Sequence, residues 1–73
     1  MSIHTHTFLI EGMHCVSCAL LIDDRLHDLP GVRRSQTRAR VGLSAVELDL
    51  TKNRPEDVIN AIEELGYRAA LRP

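Results

Sequence analysis

Two cysteines lie close together in GMHCVSC, the segment of residues 12 to 18. Thiols at this spacing can form a disulfide, act as a redox couple or bind a metal. The N-terminal residues lack the pattern of a secretory signal peptide, so we expect a cytoplasmic protein whose thiols are kept reduced. A bridge between Cys15 and Cys18 would also close a very short loop, and short loops contribute least to stability. The sequence therefore favours a metal or a redox role.

The length and composition fit one folded domain over residues 1–73. Apolar residues make up 44% of the chain and charged residues 26%, which is ordinary for a globular domain. The net charge of -1 gives no general attraction to nucleic acid or anionic lipid. The longest apolar stretch, Val16 to Ile22, is much shorter than the roughly 20 residues that span a bilayer. We therefore expect no membrane insertion.

The first part of the chain predicts a strand followed by a helix. Apolar and polar residues alternate from about Thr5 to Glu11, and Gly12 ends this strand. From residue 15 or 16 onward apolar residues recur at helical spacing, until the Pro-Gly pair at 30–31 stops the helix. Its apolar positions are Ala19, Ile22, Leu26 and Leu29.

Alternation over Val32 to Val41 and over Leu43 to Leu50, with Gly42 between them, predicts a β-hairpin. If Gly42 sets the register, the cross-strand neighbours are Arg34 with Asp49 and Gln36 with Glu47.

The first strand of this hairpin has an unusual helix-facing side. It offers Ser35, Thr37 and Ala39 where larger apolar side chains usually lie. We therefore expect this layer of the core to be loose or locally hydrogen-bonded.

A second helix and a last strand complete the order βαββαβ. Pro55 suits the first turn of a helix, and Gly66 suits its C-terminal cap. The predicted buried stripe contains Val58, Ile62 and Leu65, with Ile59 and Ala61 at its margins, and Tyr67 to Leu71 forms the strand. This order predicts an α+β ferredoxin-like sandwich, in which two helices cover one face of a four-stranded antiparallel sheet.

This layout places the cysteines at the start of the first helix, where free N–H groups and the helix dipole favour negative charge. Cys18 should therefore have a lowered pKa. The same effect on the pKa of Cys15 is less certain. Two thiolates suit a soft ion such as Cu(I), which thiolates select, whereas structural zinc prefers four ligands.

The segment GMHCVSC resembles the Gly-Met-x-Cys-x-x-Cys loop of heavy-metal-associated domains. These domains occur as stand-alone copper chaperones and as N-terminal domains of metal-transporting P-type ATPases. The resemblance continues through LPGV at 29–32, VELD at 46–49 and RPEDVINAIEELGY at 54–67. It implies a chaperone that binds Cu(I) and delivers it by ligand exchange to a copper-transporting P-type ATPase or its metal-binding domain. Zn(II) or Hg(II) is the alternative cargo.

The resemblance also implies roles for individual residues. Cys15 and Cys18 bind the metal through sulfur, and Met13 is a core residue that supports the loop. Tyr67 matches a position whose side chain lies near the cysteines, although it could equally be a half-buried aromatic that fills a thin core.

Three histidines and two leucines leave alternatives open. His14 is either an exposed loop residue or a third metal ligand or modulator. His4 and His6 belong to a solvated terminus, unless removal of Met1 makes Ser2-Ile3-His4 a chelate for Cu(II) or Ni(II). One of Leu20 and Leu21 should be exposed beside the metal loop, where it could dock a partner. The sequence also leaves open a homodimer bridged by Cu(I).

Two other classes of function are disfavoured. A small thiol-disulfide oxidoreductase would usually have proline or an aromatic residue between its cysteines, where this chain has Val16 and Ser17. RNA recognition on an open sheet stacks bases on aromatic residues. The aromatic residues Phe8 and Tyr67 both lie outside the hairpin that carries the arginines, so we expect no nucleic acid partner.

Overall fold

In the computed structural model of the protein, which describes residues 3–72, strands and helices follow the predicted order βαββαβ. The strands are β1 (Ile3–Glu11), β2 (Val32–Arg38), β3 (Leu43–Asp49) and β4 (Arg68–Leu71), and the helices are α1 (Val16–His27) and α2 (Pro55–Glu64). The strands lie in the order β2-β3-β1-β4 across the sheet, and each neighbouring pair is antiparallel. The predicted ferredoxin-like α+β sandwich is confirmed. Ser2, which the proposed N-terminal chelate requires, lies outside the described residues.

The core lies between one face of the sheet and the two helices. Alternate residues of β1 and β3 point into it, and each helix adds one apolar stripe. Burying one such side chain contributes about 1.5 to 3 kcal/mol. The fully buried larger apolar side chains are Phe8, Ile22, Leu26, Val46, Leu48, Val58 and Ile62. Neither helix within residues 3–72 is long and apolar enough to cross a membrane.

The β2–β3 hairpin differs from its prediction. Strand β2 ends at Arg38 rather than Val41, and residues 39–42 form a turn in which the Gly42 N–H donates to the Arg38 carbonyl oxygen at 3.1 Å. The predicted register is therefore wrong by two residues, because the alternating pattern does not show where a turn begins. The observed neighbours are Arg34 with Glu47 and Gln36 with Ala45. A shift of two residues by itself preserves the face of each side chain, but a further irregularity in the pairing between Val32 and Arg34 breaks the alternation there, and Val32 packs against the core.

Helix α2 begins and ends as predicted, but its buried stripe is shorter. Pro55 occupies the first helical position, and Gly66, with φ +100°, follows the C-terminal residues in a conformation that glycine favours. Leu65 is 37% exposed rather than buried. Because the helix ends at Glu64, Leu65 lies at its C-cap and leaves the stripe, while Ala61 is buried instead.

The polar side chains of β2 form a hydrogen-bonded cluster with α1. The Asp23 carboxylate accepts hydrogen bonds from the Ser35 hydroxyl at 2.6 Å, from the Thr37 hydroxyl at 2.6 Å and from the Thr37 N–H at 3.3 Å. Because the Thr37 hydroxyl donates its single proton to Asp23, the buried Ser44 hydroxyl donates to Thr37, at 2.8 Å. The expected local hydrogen bonding is confirmed, and this network attaches α1 to β2.

Replacing Asp23 by alanine should destabilise the fold strongly. The Asp23→Ala change leaves two half-buried hydroxyl groups and one N–H without their acceptor, and we expect a loss of about 2 to 4 kcal/mol. Urea denaturation measures the free energy of unfolding. The matched control is Asp24→Ala, because Asp24 is the next residue of α1 and is exposed; its effect should stay within about 0.5 kcal/mol. Equal losses in the two variants would show that the network contributes nothing.

Candidate metal centre

The loop that carries the cysteines is held from two sides. Gly12 ends β1 with φ +99°, a left-handed conformation that other residues adopt with strain. A Cβ atom at this position would lie 3.4 Å from Cδ1 of Tyr67, so the Tyr67 ring covers the turn. Met13 is half-buried and packs against the core, as does Tyr67. Both side chains therefore lie where they can fix the loop.

The two cysteines flank the start of α1. Cys15 is the N-cap residue, and the Cys18 N–H donates to the Cys15 carbonyl oxygen at 3.1 Å in the first turn. Their sulfur atoms lie 3.9 Å apart, and both thiols are free. Cys15 is exposed, whereas Cys18 is half-buried. The first helical turn thus holds two sulfur atoms close together at the surface.

Hydrogen-bond donors around Cys18 favour its thiolate. They lower the pKa of Cys18 from 9.0 to about 7, first through the main-chain N–H of His14 and then through the Tyr67 hydroxyl group. The main-chain N–H and the thiol of Cys15 add smaller effects, and partial desolvation opposes them. The predicted direction is confirmed, but the largest contribution comes from the loop before the helix. The same interaction raises the pKa of Tyr67, because its hydroxyl group donates to a negatively charged sulfur.

The His14 side chain is exposed beside the cysteine pair. Across the part of the chain that the structure describes, no three His, Cys, Asp or Glu side chains are grouped to hold a metal. The imidazole is therefore not assembled with the two sulfurs, and its role as a third ligand stays a hypothesis. No sequence pattern reveals the contribution of the His14 main-chain N–H, because every residue type except proline supplies that group.

An apolar surface borders the cysteines. Val16, Leu20 and Leu21 are 71%, 60% and 55% exposed, and we call them the α1 apolar patch. The sequence predicts an exposed leucine here, and the structure exposes both Leu20 and Leu21. Helix α1 buries Ala19, Ile22 and Leu26, and both leucines lie outside that stripe. Val16 and Leu20 are one helical turn apart, so the patch begins directly beside Cys15.

The sequence pattern of the heavy-metal-associated domain matches residues 7–68. The chain is 38% identical to the copper-transporting ATPase RAN1 of Arabidopsis thaliana over 64 residues, which are 88% of this chain and 6% of the ATPase. It is 31% identical to the copper chaperone CopZ of Bacillus subtilis over 64 residues, which are 88% of this chain and 93% of the chaperone. The chain thus spans a small part of the ATPase and nearly all of the chaperone.

A solved structure shows the same arrangement of helices and strands. The N-terminal domain of a potential copper-translocating P-type ATPase from Bacillus subtilis, in its Cu(I)-loaded state, superposes with a TM-score of 0.90 at 30% identity. The superposition covers 94% of this chain and 86% of that domain.

Replacing Tyr67 by phenylalanine should raise the pKa of Cys18. The ring that covers Gly12 stays, but the hydroxyl donor is lost, and one hydrogen bond corresponds to roughly half a pH unit to one unit. The measurement is the alkylation rate of Cys18 against pH in a Cys15→Ser background, since only the thiolate reacts. Without the Tyr67 change, the rate should fall as the pH drops through about 7. An unchanged or lower midpoint in Tyr67→Phe would contradict the assigned hydrogen bond.

Proposed function

The chain belongs to the heavy-metal-associated domain family, and from this premise we propose that it is a cytoplasmic metallochaperone that carries Cu(I) on Cys15 and Cys18. The observation that carries this proposal is the pair of free sulfur atoms 3.9 Å apart at an accessible helix start. With a pKa of about 7, roughly half of the Cys18 thiol is thiolate in neutral solution. A thiolate binds Cu(I) without first losing a proton, and thiolate sulfur is the donor that this ion prefers.

The sulfur separation also suits transfer. A metal about 2.3 Å from each sulfur, the length of a metal–thiolate bond, would form an S–metal–S angle of about 116° at a separation of 3.9 Å. This angle is close to that of three-fold coordination and leaves one side of the metal open. A thiolate of the acceptor can bind there before Cys15 or Cys18 leaves. Transfer then proceeds by exchange of ligands, and the metal is never released free.

Other cargoes remain second candidates on chemical grounds. Hg(II) is soft and also prefers thiolates, whereas a structural Zn(II) site takes four ligands and this loop supplies two sulfurs. Zn(II) would therefore need ligands from water or a partner, so it is the less favoured cargo.

The α1 apolar patch is the proposed docking surface for the acceptor. Apolar contact around the sulfurs would exclude water during ligand exchange. On the same side of α1, Asp24 follows Leu20 by four residues, and Asp28 follows Asp24 by four more; both are exposed. The matching acceptor surface is apolar next to its own cysteines and basic one to two helical turns away. We propose that this acceptor is the metal-binding domain of a copper-transporting P-type ATPase.

Removing the sulfurs should abolish Cu(I) binding. In competition with a chromogenic Cu(I) chelator, the protein should bind one Cu(I), and the double variant Cys15→Ser/Cys18→Ser should bind at least about a hundredfold more weakly, or about 2.7 kcal/mol. The control is Ser17→Ala, which lies between the cysteines and should bind as the unmodified chain does. Parallel titrations with Zn(II) and Hg(II) rank the cargoes.

Four outcomes would change the proposal. Unchanged Cu(I) affinity in the double variant would refute it, and tighter Hg(II) binding at competing concentrations would favour the alternative cargo. Elution at twice the monomer size with half a Cu(I) per chain would indicate a bridged homodimer. Insulin reduction by the metal-free protein would instead support the oxidoreductase. The variant His14→Ala tests the third-ligand hypothesis, which predicts weaker binding.

Introducing a charge into the α1 apolar patch should slow transfer without weakening binding. We expect Leu20→Glu to reduce the rate of Cu(I) transfer to an acceptor domain about tenfold, because it buries a carboxylate in the docked complex. The Cu(I) affinity measured with the chelator should stay the same. Leu50→Glu is the control, since this exposed leucine follows β3 at the opposite end of the sheet. Equal rates in the two variants would place the docking surface elsewhere.

A further inference from the structure

We propose that the open face of the sheet, which is turned away from the helices, is a docking surface for an acidic amphipathic helix of a partner protein. The outward residues of an antiparallel sheet that faces water are ordinarily polar. In this sheet Leu9 lies opposite Leu43 on β3 and opposite Ala70 on β4, and Ala45 follows Leu43 on the same face. These four outward residues therefore form one continuous apolar surface, which we call the open-face patch.

The open-face patch has the shape of a shallow floor with one projecting side chain. Leu9 lies at its centre and is 45% exposed. Ala70 is exposed, and Leu43 and Ala45 are half-buried. A single exposed apolar residue is ordinary, whereas adjoining ones with polar surroundings indicate an interaction surface. Because the alanine side chains are short, an element of a partner can approach the sheet closely beside Leu9.

An arginine flanks the patch on each outer side of the sheet. On β2, Arg38 lies opposite Leu43. Arg72 follows β4 and donates its main-chain N–H to the Thr7 carbonyl oxygen at 2.8 Å, which continues the pairing of β1 with β4 and places Arg72 on the outward face with Thr7. Both arginines are exposed. Their guanidinium groups are suited to paired hydrogen bonds with carboxylates.

The acidic residues of the open face lie opposite other residues. Glu11 is opposite Arg68, and Glu47 is opposite Arg34. The third, Asp49, lies at the end of β3 and accepts hydrogen bonds from the N–H and hydroxyl groups of the residue two positions later. Within residues 3–72, the recorded salt bridge belongs to the helix layer. The two flanking arginines are therefore free to bind carboxylates of a partner.

The spacing of the flanking arginines fits the width of a helix. Strands β2 and β4 lie on the two outer sides of β3 and β1, so they are three strand spacings, or about 14 Å, apart. An α-helix with its side chains is about 10 to 12 Å wide. A helix lying along β3 and β1 would rest its apolar stripe on Leu9, and carboxylates on its two sides would reach Arg38 and Arg72. It would cover this face as α1 and α2 cover the other.

A second copy of the chain is a poorer match. The exposed residues of α2 are acidic or polar throughout, so they offer no apolar contact to Leu9. Helix α1 has an apolar patch, but its exposed acids Asp24 and Asp28 lie toward one end of that patch rather than on both sides.

Nucleic acid is also a poorer match. Bases stack on aromatic side chains at open sheet faces, but Phe8 is buried in the core and Tyr67 packs against it. The phosphate backbone would in addition meet Glu11 and Glu47 beside the patch. The chemistry of this face is that of a protein interface, with an apolar centre and a charged rim.

This site is separate from the surface proposed for metal transfer. The open-face patch lies on one side of the sheet, and the α1 apolar patch lies in the helix layer on the other. A helix bound to the open face leaves Cys15 and Cys18 uncovered, so the chain can hold this partner and exchange metal at the same time.

The test is an NMR titration of the complete, metal-free chain with a synthetic helical peptide of about 20 residues, in which glutamates flank a leucine stripe on both sides. We expect saturable shifts of the amide signals of residues 7, 9, 43, 45 and 70. Arg38→Gln and Arg72→Gln should each weaken binding about threefold, as expected for an exposed ion pair. Leu9→Ser should weaken it about tenfold, because it removes the apolar contact.

The matched control is Arg25→Gln, which makes the same change of charge in the helix layer and should bind the peptide as the unmodified chain does. Shifts that do not saturate, equal weakening in Arg25→Gln, or equal binding of a peptide with lysines in place of the glutamates would each overturn the proposal.

Three further results would assign the face to another occupant and so overturn the proposal. They are tighter binding of an RNA oligonucleotide, tighter binding of anionic lipid vesicles, and shifts of the same signals when the protein alone is concentrated. None of these measurements involves Cu(I), so the docking surface can fail while the proposed function stands.

Discussion

The turn between β1 and α1 is the constraint on which the metal centre depends, because it must direct main-chain N–H groups toward one sulfur atom. Gly12 permits the required backbone conformation, with φ +99°. The nearby main-chain N–H groups of His14 and Cys15 then favour the Cys18 thiolate and help lower its pKa to about 7. A main-chain donor is fixed by the backbone and loses no side-chain entropy when it binds. The reactivity of the thiol is thus a property of the loop conformation more than of its side chains.

Helix α1 must keep its position over the sheet for that conformation to persist. Part of this attachment is polar, since Asp23 on α1 accepts three hydrogen bonds from Ser35 and Thr37 on β2. Apolar packing tolerates small sliding movements, but hydrogen bonds weaken steeply with poor distance or angle. The network therefore holds the helix in one register against an edge strand that has few large apolar side chains. A half-buried carboxylate is tolerated because its donors replace the water that it loses.

The candidate metal centre combines one sulfur atom that is held in place with one that is accessible. Cys18 is half-buried and receives the hydrogen bonds, whereas Cys15 is exposed beside the α1 apolar patch. In the proposed transfer, the exposed sulfur leaves first while the stabilised thiolate holds the metal.

The amino-acid sequence by itself determined the order of the elements, the faces of most strand residues and the position of the cysteine pair, because these follow from hydrophobic periodicity and from glycine and proline. Only the tertiary structure decided the hairpin register and the irregularity between Val32 and Arg34, since a slip of two residues preserves the alternation of faces. It alone placed Leu65, Leu20 and Leu21 at the surface, because a helical stripe does not reveal where its neighbours end. The hydrogen bonds of Asp23 with β2 and the effect of the His14 N–H on Cys18 depend on how the elements pack in three dimensions, which a one-dimensional pattern does not contain.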